Sequence, residues 1–337
     1  MARIGLSGII PSPPVIYTDA SCREINYDAY RDHLRHLLSF EIGGLCIGGH
    51  AGETECLTMD ERLKVIDIAV DEARGRVPVI GGVISDSTHS AIDQARVQKD
   101  HGVDAVLVCP PNIIGWDAER AEGMHLAHFA AFDKQAGLPF LIYGGPGDGT
   151  SYRQMPSTFR QLATTCENLI AWKIPVRGVA TGPNSFSECV AALKDAAGIT
   201  GRKVTALVAG DANFVGALEA GAEGNVNACE SVRIDDNVAL YAAFTRGDRD
   251  GAMAIQQRNQ PLSDIIYGVR IGKSFAFFHY RFKIASWMLG LIDNPAMRLP
   301  QIPPPFEEIA IIHDALIKAG KTPVRAPSDY HPTIAEM

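Results

Sequence analysis

At 337 residues, the chain is long enough for one large domain or two ordinary ones. Its composition is that of a globular protein, 46% hydrophobic and 21% charged with mean hydropathy near zero, and no apolar run reaches membrane-spanning length. Lys and Arg number 31 against 39 Asp and Glu, a formal charge of −8, which argues against a nucleic-acid or anionic-membrane partner.

The N-terminus, Met1-Ala2-Arg3-Ile4-Gly5-Leu6, lacks the charged region, apolar region and cleavage site of a signal peptide and reads as the first strand. The seven cysteines are odd in number and form no Cys-x-x-Cys pair, so a reduced, cytoplasmic protein is the expectation. Strand-like apolar runs fall near 3–10, 43–47, 77–82, 104–109, 139–143, 168–173, 204–209 and 224–228. Helical patterns lie between them: 27–40, 59–74 (opening on a Thr58–Glu61 capping box), 87–101, 118–136, 156–165, 185–196 and 211–221. Eight strand–helix units in about 250 residues predict a (β/α)8 TIM barrel. A doubly wound sheet is the runner-up, disfavoured because no Gly-x-Gly-x-x-Gly turn follows the first strand. Further helices are predicted over 251–259, 264–291 and 307–319. The division is therefore a barrel over 1–246 and a C-terminal helical extension and tail over 247–337, packed on the barrel. From Thr322 the polar, proline-bearing tail reads as an extended strap or a disordered end.

Three predicted strands end on chemistry. Leu169-Ile170-Ala171-Trp172 runs into Lys173, Phe140-Leu141-Ile142 into Tyr143, and Leu45-Cys46-Ile47 into the turn Gly48-Gly49-His50-Ala51-Gly52-Glu53. The C-terminal ends of the strands are where a barrel of this kind keeps its active site. Burial disfavours the charged form of an amine, and a neutral lysine attacks a ketone to form a Schiff base. Each piece also has an ordinary explanation: a solvated strand-end cap, a core tyrosine, a plain turn. Their occurrence together is what points to a site. His50 reads as a general acid/base, as a donor to a substrate carboxylate, or as a packed histidine. His50, Glu53 and Cys56 match no metal-binding spacing, so no metal is expected. Glu53 is expected to anchor the turn through backbone N–H groups, Asn225 or Asn227 to reach the pocket floor, and Trp116 to wall the pocket. His101, His125 and His128 read as helix-surface residues.

With these residues in view, the chain resembles the dihydrodipicolinate synthase and N-acetylneuraminate lyase family of Schiff-base-forming enzymes, from about Gly8 to Pro305. The resemblance is carried by Gly49 to Glu53, Leu57-Thr58, Glu61-Arg62, Arg76 to Gly82, the Tyr143 and Lys173 strand ends, Gly210-Asp211, Gly221 to Gly224 and Arg298-x-Pro300. It implies catalysis by Lys173 and Tyr143, no cofactor, and a substrate-binding set of Gly49, His50, Ala51, Gly52, Asn112, Asp148 and Val226. It also implies a homotetramer built as a dimer of dimers. Departures from the synthase pattern stand beside this. The turn carries His50 and Ala51 where synthases commonly have hydroxyl residues. Asn112 stands where a synthase tyrosine reaches across a subunit interface. Asp148 replaces an arginine that grips a distal carboxylate, and Ile174-Pro175 replace the acidic residue after the lysine. The expectation is therefore a lyase acting on another small-molecule 2-oxo acid, by retro-aldol cleavage releasing pyruvate or by dehydration of a 2-keto-3-deoxy sugar acid. The alternatives are a catalytically silent keto-acid-binding barrel and a metal-dependent barrel aldolase or hydrolase.

Overall fold

A computed structural model describes residues 4–146, 151–176, 185–267 and 278–331. Eight parallel strands alternate with helices: β1 (Gly8–Pro11), α1 (Tyr27–Leu38), β2 (Leu45–Ile47), α2 (Met59–Ala73), β3 (Val79–Val83), α3 (Thr88–Asp100), β4 (Ala105–Val108), α4 (Ala121–Ala136) and β5 (Phe140–Tyr143). The second half continues with α5 (Pro156–Thr165), β6 (Leu169–Pro175), α6 (Phe186–Thr200), β7 (Thr205–Ala209), α7 (Phe214–Glu219), β8 (Gly224–Asn227) and α8 (Glu230–Thr245). From β2 to β8 each strand pairs with its sequence neighbour, and β1 pairs with β8. The ring closes at its last gap through the Gly43 N–H, which donates to the Ile9 carbonyl at 2.7 Å. This is a (β/α)8 barrel.

Alternation along each strand separates two cores. Ile10, Cys46, Ile80, Leu107, Leu141, Ala171, Leu207 and Val226 point inward and fill the barrel. Ile9, Val79, Val106, Ile142, Trp172 and Val208 point outward against the helices. Gly82 serves a close approach: a Cβ there would meet the Gly48 carbonyl oxygen at 1.8 Å, so its absence lets the Gly49–Glu53 turn settle on β3. The capping box is formed as predicted, with Thr58 and Glu61 satisfying each other's backbone N–H at the start of α2.

Three more helices follow: α9 (Arg249–Ile266), α10 (Phe278–Met288) and α11 (Phe306–Lys318). With α8 they build a separate apolar cluster that includes Leu262, Ile266, Phe282, Ile284, Ile309 and Leu316. The predicted helix over 251–259 is only the middle of α9, which continues through Pro261. Proline removes one helix hydrogen bond, and burial of Leu262, Ile265 and Ile266 just beyond it offsets that loss. The predicted helix over 264–291 falls on the end of α9 and on α10, with 268–277 outside the described residues. Helix α8 has no counterpart among the predicted helices. The described part of the tail is a strap along α10: the Val324 N–H donates to the Met288 carbonyl, and Tyr330 Oη lies 3.3 Å from Tyr280 Oη.

Candidate active site

At the C-terminal mouth of the barrel, β5 and β6 place Tyr143 and Lys173 directly opposite each other in register. Both follow the inward phase of their strands, after Leu141 and Ala171, so both side chains face the barrel axis. Lys173 Nζ lies 5.0 Å from the centroid of the Tyr143 ring. Both residues are half-buried. Among the described residues, Lys173 takes part in no ion pair. Beneath it, burial pushes the Cys46 thiol pKa up while the Lys173 charge acts against that rise.

The glycine turn of β2 divides its residues between two faces. His50 looks over the barrel mouth, its ring 6.0 Å from that of Tyr143 and 6.5 Å from the parallel ring of His279. His50 Nε2 is 3.0 Å from Tyr152 Oη and 3.3 Å from Glu55 Oε1, and Nδ1 faces Cys109 Sγ at 3.8 Å. His279, on α10, is held neutral: loss of solvent pushes its pKa well below the usual histidine value, and His50 and Lys173 add to that. Gly49 and Gly52 are buried in the turn, where the Gly52 N–H donates to the Gly49 carbonyl at 2.9 Å. Ala51 is turned the other way, its methyl buried in the cluster formed with Ile16, Ala228 and Cys229.

Glu53 fills its expected role in part, with one backbone N–H, that of Arg298, among side-chain partners. Its carboxylate accepts from Lys283 Nζ at 2.9 Å, Tyr17 Oη at 3.1 Å and the Arg298 N–H at 3.0 Å, and both charged side chains of the Glu53–Lys283 pair are fully buried. This grip holds Glu53 in the left-handed region at φ 54°, a conformation that costs an L-residue about 1–2 kcal/mol. Arg298 in turn donates to both oxygens of Glu61 at 2.6 and 2.7 Å and to the carbonyls of Cys22, Arg23 and Cys56. The Glu61 and Arg298 motifs are thus two halves of one clamp between α2 and the chain beyond α10. The three groups of the metal reading separate here, because Glu53 belongs to Lys283 while His50 faces the mouth.

The remaining predicted site residues spread out. Val226 is buried in the barrel interior. Its neighbours Asn225 and Asn227 take the opposite strand phase, so they do not form the pocket floor. Asn225 donates to Glu230 Oε1, and Asn227 Oδ1 accepts from Tyr267 Oη. Asn112 is exposed at the start of a short 3₁₀ segment, with its carbonyl accepting from Ser151 Oγ at 3.0 Å. Asp148 lies outside the described residues. Trp116 is 83% exposed. His125 and His128 are buried and so correct the surface assignment. His125 Nε2–H donates to the Ser151 carbonyl at 2.7 Å, and His128 Nδ1 pairs with Thr88 Oγ1 at 2.9 Å. His101 is the half-exposed one, paired with Asp67.

A cavity of about 750 Å³ opens elsewhere, lined by Cys22, Arg23, Tyr280, Trp287, Arg298 and Tyr330. Its principal cation, Arg298, is already saturated by Glu61 and three carbonyls, so the barrel mouth is the better-equipped site. Sequence reasoning missed Tyr152, His279 and Lys283. For Lys283 a signal existed: two cations, Arg281 and Lys283, stand within the otherwise apolar Phe278–Met288, which requires buried partners.

Comparison with known proteins agrees with this architecture. Residues 6–318 match the model of the Dihydrodipicolinate synthetase family. The chain is 31% identical over 290 residues to a 4-hydroxy-tetrahydrodipicolinate synthase of Nitrobacter hamburgensis, covering 85% of this chain and 90% of that one. It is 30% identical over 304 residues to the enzyme of the same name from Rhodopseudomonas palustris, covering 88% and 92%. In fold it superposes at a TM-score of 0.80 and 21% identity on a prophage protein of the dihydrodipicolinic acid synthase family from E. coli K12, solved in complex with pyruvate, covering 94% and 99%. The chain belongs to the dihydrodipicolinate synthetase family, a family of Schiff-base-forming, pyruvate-dependent lyases.

Proposed function

We propose that the chain is a lyase that condenses the Lys173 amine with the ketone of a 2-oxo acid. The observation that carries this is the opposition of Lys173 and Tyr143 at inward-facing positions of neighbouring strands, amine against phenol ring at 5.0 Å. The amine adds to the carbonyl carbon, and loss of water leaves a protonated imine. That cation draws electrons from the neighbouring carbon. In cleavage, the C3–C4 bond breaks, its electrons move toward the imine nitrogen, and the C4 hydroxyl proton passes to the Tyr143 side. In dehydration, C3 loses a proton and the C4 hydroxyl leaves as water. Tyr143 is the proton carrier in either case. The turn Gly49-His50-Ala51-Gly52 offers N–H groups to the substrate carboxylate.

The distal end of the substrate follows from charge. Asp148 stands where synthases carry a cation, and a carboxylate beside it would be repelled. The substrate is a monocarboxylate 2-oxo acid with a neutral, polyhydroxylated distal end, for which Asp148 and Asn112 offer hydrogen-bonding groups. For the assembly the family resemblance suggests a homotetramer of paired dimers. Pyruvate release and water loss across a panel of 4-hydroxy-2-oxo acids and 2-keto-3-deoxy sugar acids test the substrate class. A clearly higher kcat/KM for a dicarboxylate than for any sugar acid would overturn it.

A further inference from the structure

After β5, residues 144–146 and 151–155 are pinned to each other and to the barrel from several sides. The Gly145 N–H donates to the Tyr152 carbonyl at 3.0 Å, and the Gln154 N–H returns to the Gly145 carbonyl. Gly144 makes room for this: a Cβ there would meet the Tyr152 carbonyl oxygen at 2.5 Å, and its φ of 143° suits glycine. Trp172 Nε1, on the outer face of β6, donates to the Gly144 carbonyl and to Gln154 Oε1. One residue before Tyr152, Ser151 is fixed by buried His125 through its carbonyl and by the Asn112 carbonyl through its hydroxyl. So much anchoring around one residue fixes where its side chain goes. The Tyr152 ring sits 5.3 Å from that of Tyr143 and 5.7 Å from that of His50, and its hydroxyl meets His50 Nε2 at 3.0 Å.

The geometry points to Tyr152 as a positioning residue of this site: its hydroxyl holds the His50 imidazole beside Tyr143, and it does so from the same chain that carries Lys173. This rests on the reading of Lys173 and Tyr143 above. The Glu55 carboxylate lies 3.3 Å from the same nitrogen. Among the described residues the Cys109 thiol, the Tyr143 ring and the His279 ring also stand against His50. The 3₁₀ segment that begins at Asn112, where the related synthases place a tyrosine reaching across a subunit interface, here braces the residue next to Tyr152 instead.

The test uses the full chain with pyruvate as probe. Enamine formation at Lys173 exchanges the pyruvate methyl protons for deuterium in heavy water, which NMR follows. Borohydride reduction reports the imine separately. Tyr152→Phe should leave the borohydride adduct on Lys173 intact and slow exchange by about 10–100-fold. A merely structural role for the hydroxyl would lower adduct formation and exchange together. Mixing Lys173→Ala with Tyr152→Phe chains should give no activity beyond the sum of the two. An adduct-forming Tyr152→Phe with a wild-type exchange rate overturns the inference, as does recovery of activity on mixing, since Tyr152 would then act across an interface. A wild-type chain that forms no adduct overturns instead the reading of Lys173.

Discussion

Two lysines in this chain lie over tyrosine rings at nearly the same distance, Lys173 over Tyr143 at 5.0 Å and Lys283 over Tyr17 at 4.9 Å. Their settings are otherwise opposite. Lys283 is fully buried and donates to Glu53 at 2.9 Å and to the Ala296 carbonyl, so its ammonium is a fixed structural cation. Lys173 is half-buried on β6, in no ion pair among the described residues, with neutral His279 and a phenol for company. A buried pair of the first kind contributes through what breaking it would expose. An amine of the second kind is available to a ketone. The contrast teaches that a lysine's partner, more than its burial, separates scaffold from chemistry here.

The comparison is broken most severely by removing each lysine in turn. Lys173→Ala should abolish turnover while costing no more than about 1 kcal/mol of stability, and Lys173→Arg should be equally inactive. Steady-state rates and urea unfolding check both halves, and a Lys173→Ala protein with residual turnover would put the chemistry elsewhere. Next in size is Tyr143→Phe, which removes one hydroxyl and should lower kcat by about 10²–10⁴-fold. A near-normal rate would move the proton transfer to His50 or water.

On the scaffold side, Lys283→Met leaves Glu53 buried beside Tyr17 without its counter-ion and should destabilise the fold by about 3–5 kcal/mol. Denaturant titration measures this, and a loss below about 1 kcal/mol would mean that the pair is better solvated than its burial indicates. The smallest effect is a pH dependence. Burial, then Asp211, pushes the Glu230 carboxyl up to about 8 from its usual 4.5. The folded state therefore holds this proton more tightly than the unfolded state does. Stability from this group should fall as pH rises from about 4.5 to about 8, by at most about 1.4 kcal/mol per unit. Glu230→Gln, whose amide oxygen can still accept from Asn225 and Asn237, should flatten that slope in urea midpoints taken at pH 6 and 8.

The parts of the molecule legible in the sequence were those whose signal is local. Each barrel strand is buried on both faces and reads as a short apolar run, so Lys173 and Tyr143 stood out as the residues that end two of them. Helix α8 was illegible because its inner face is polar. Glu230, Ser231, Arg233, Asp236 and Asn237 are all buried there, and Arg233 leaves helical geometry at φ −149°, which together erase the apolar period. His125 and His128 were misread because a polar residue on a helix is ordinarily outward, whereas these two are spent on Ser151 and Thr88. Tyr152 sits in a loop without periodicity, and its partner His50 is 102 residues away. Nothing but the fold brings those two together, and the same holds for Glu53 and Lys283.

The central claim, that Lys173 is the amine that takes up the keto acid, is tested most directly by trapping. The full chain is incubated with pyruvate, reduced with borohydride and mapped by peptide mass spectrometry. The account predicts one reduced pyruvyl adduct, on the peptide carrying Lys173, and none in Lys173→Ala. No adduct, or an adduct on any other lysine, would contradict it.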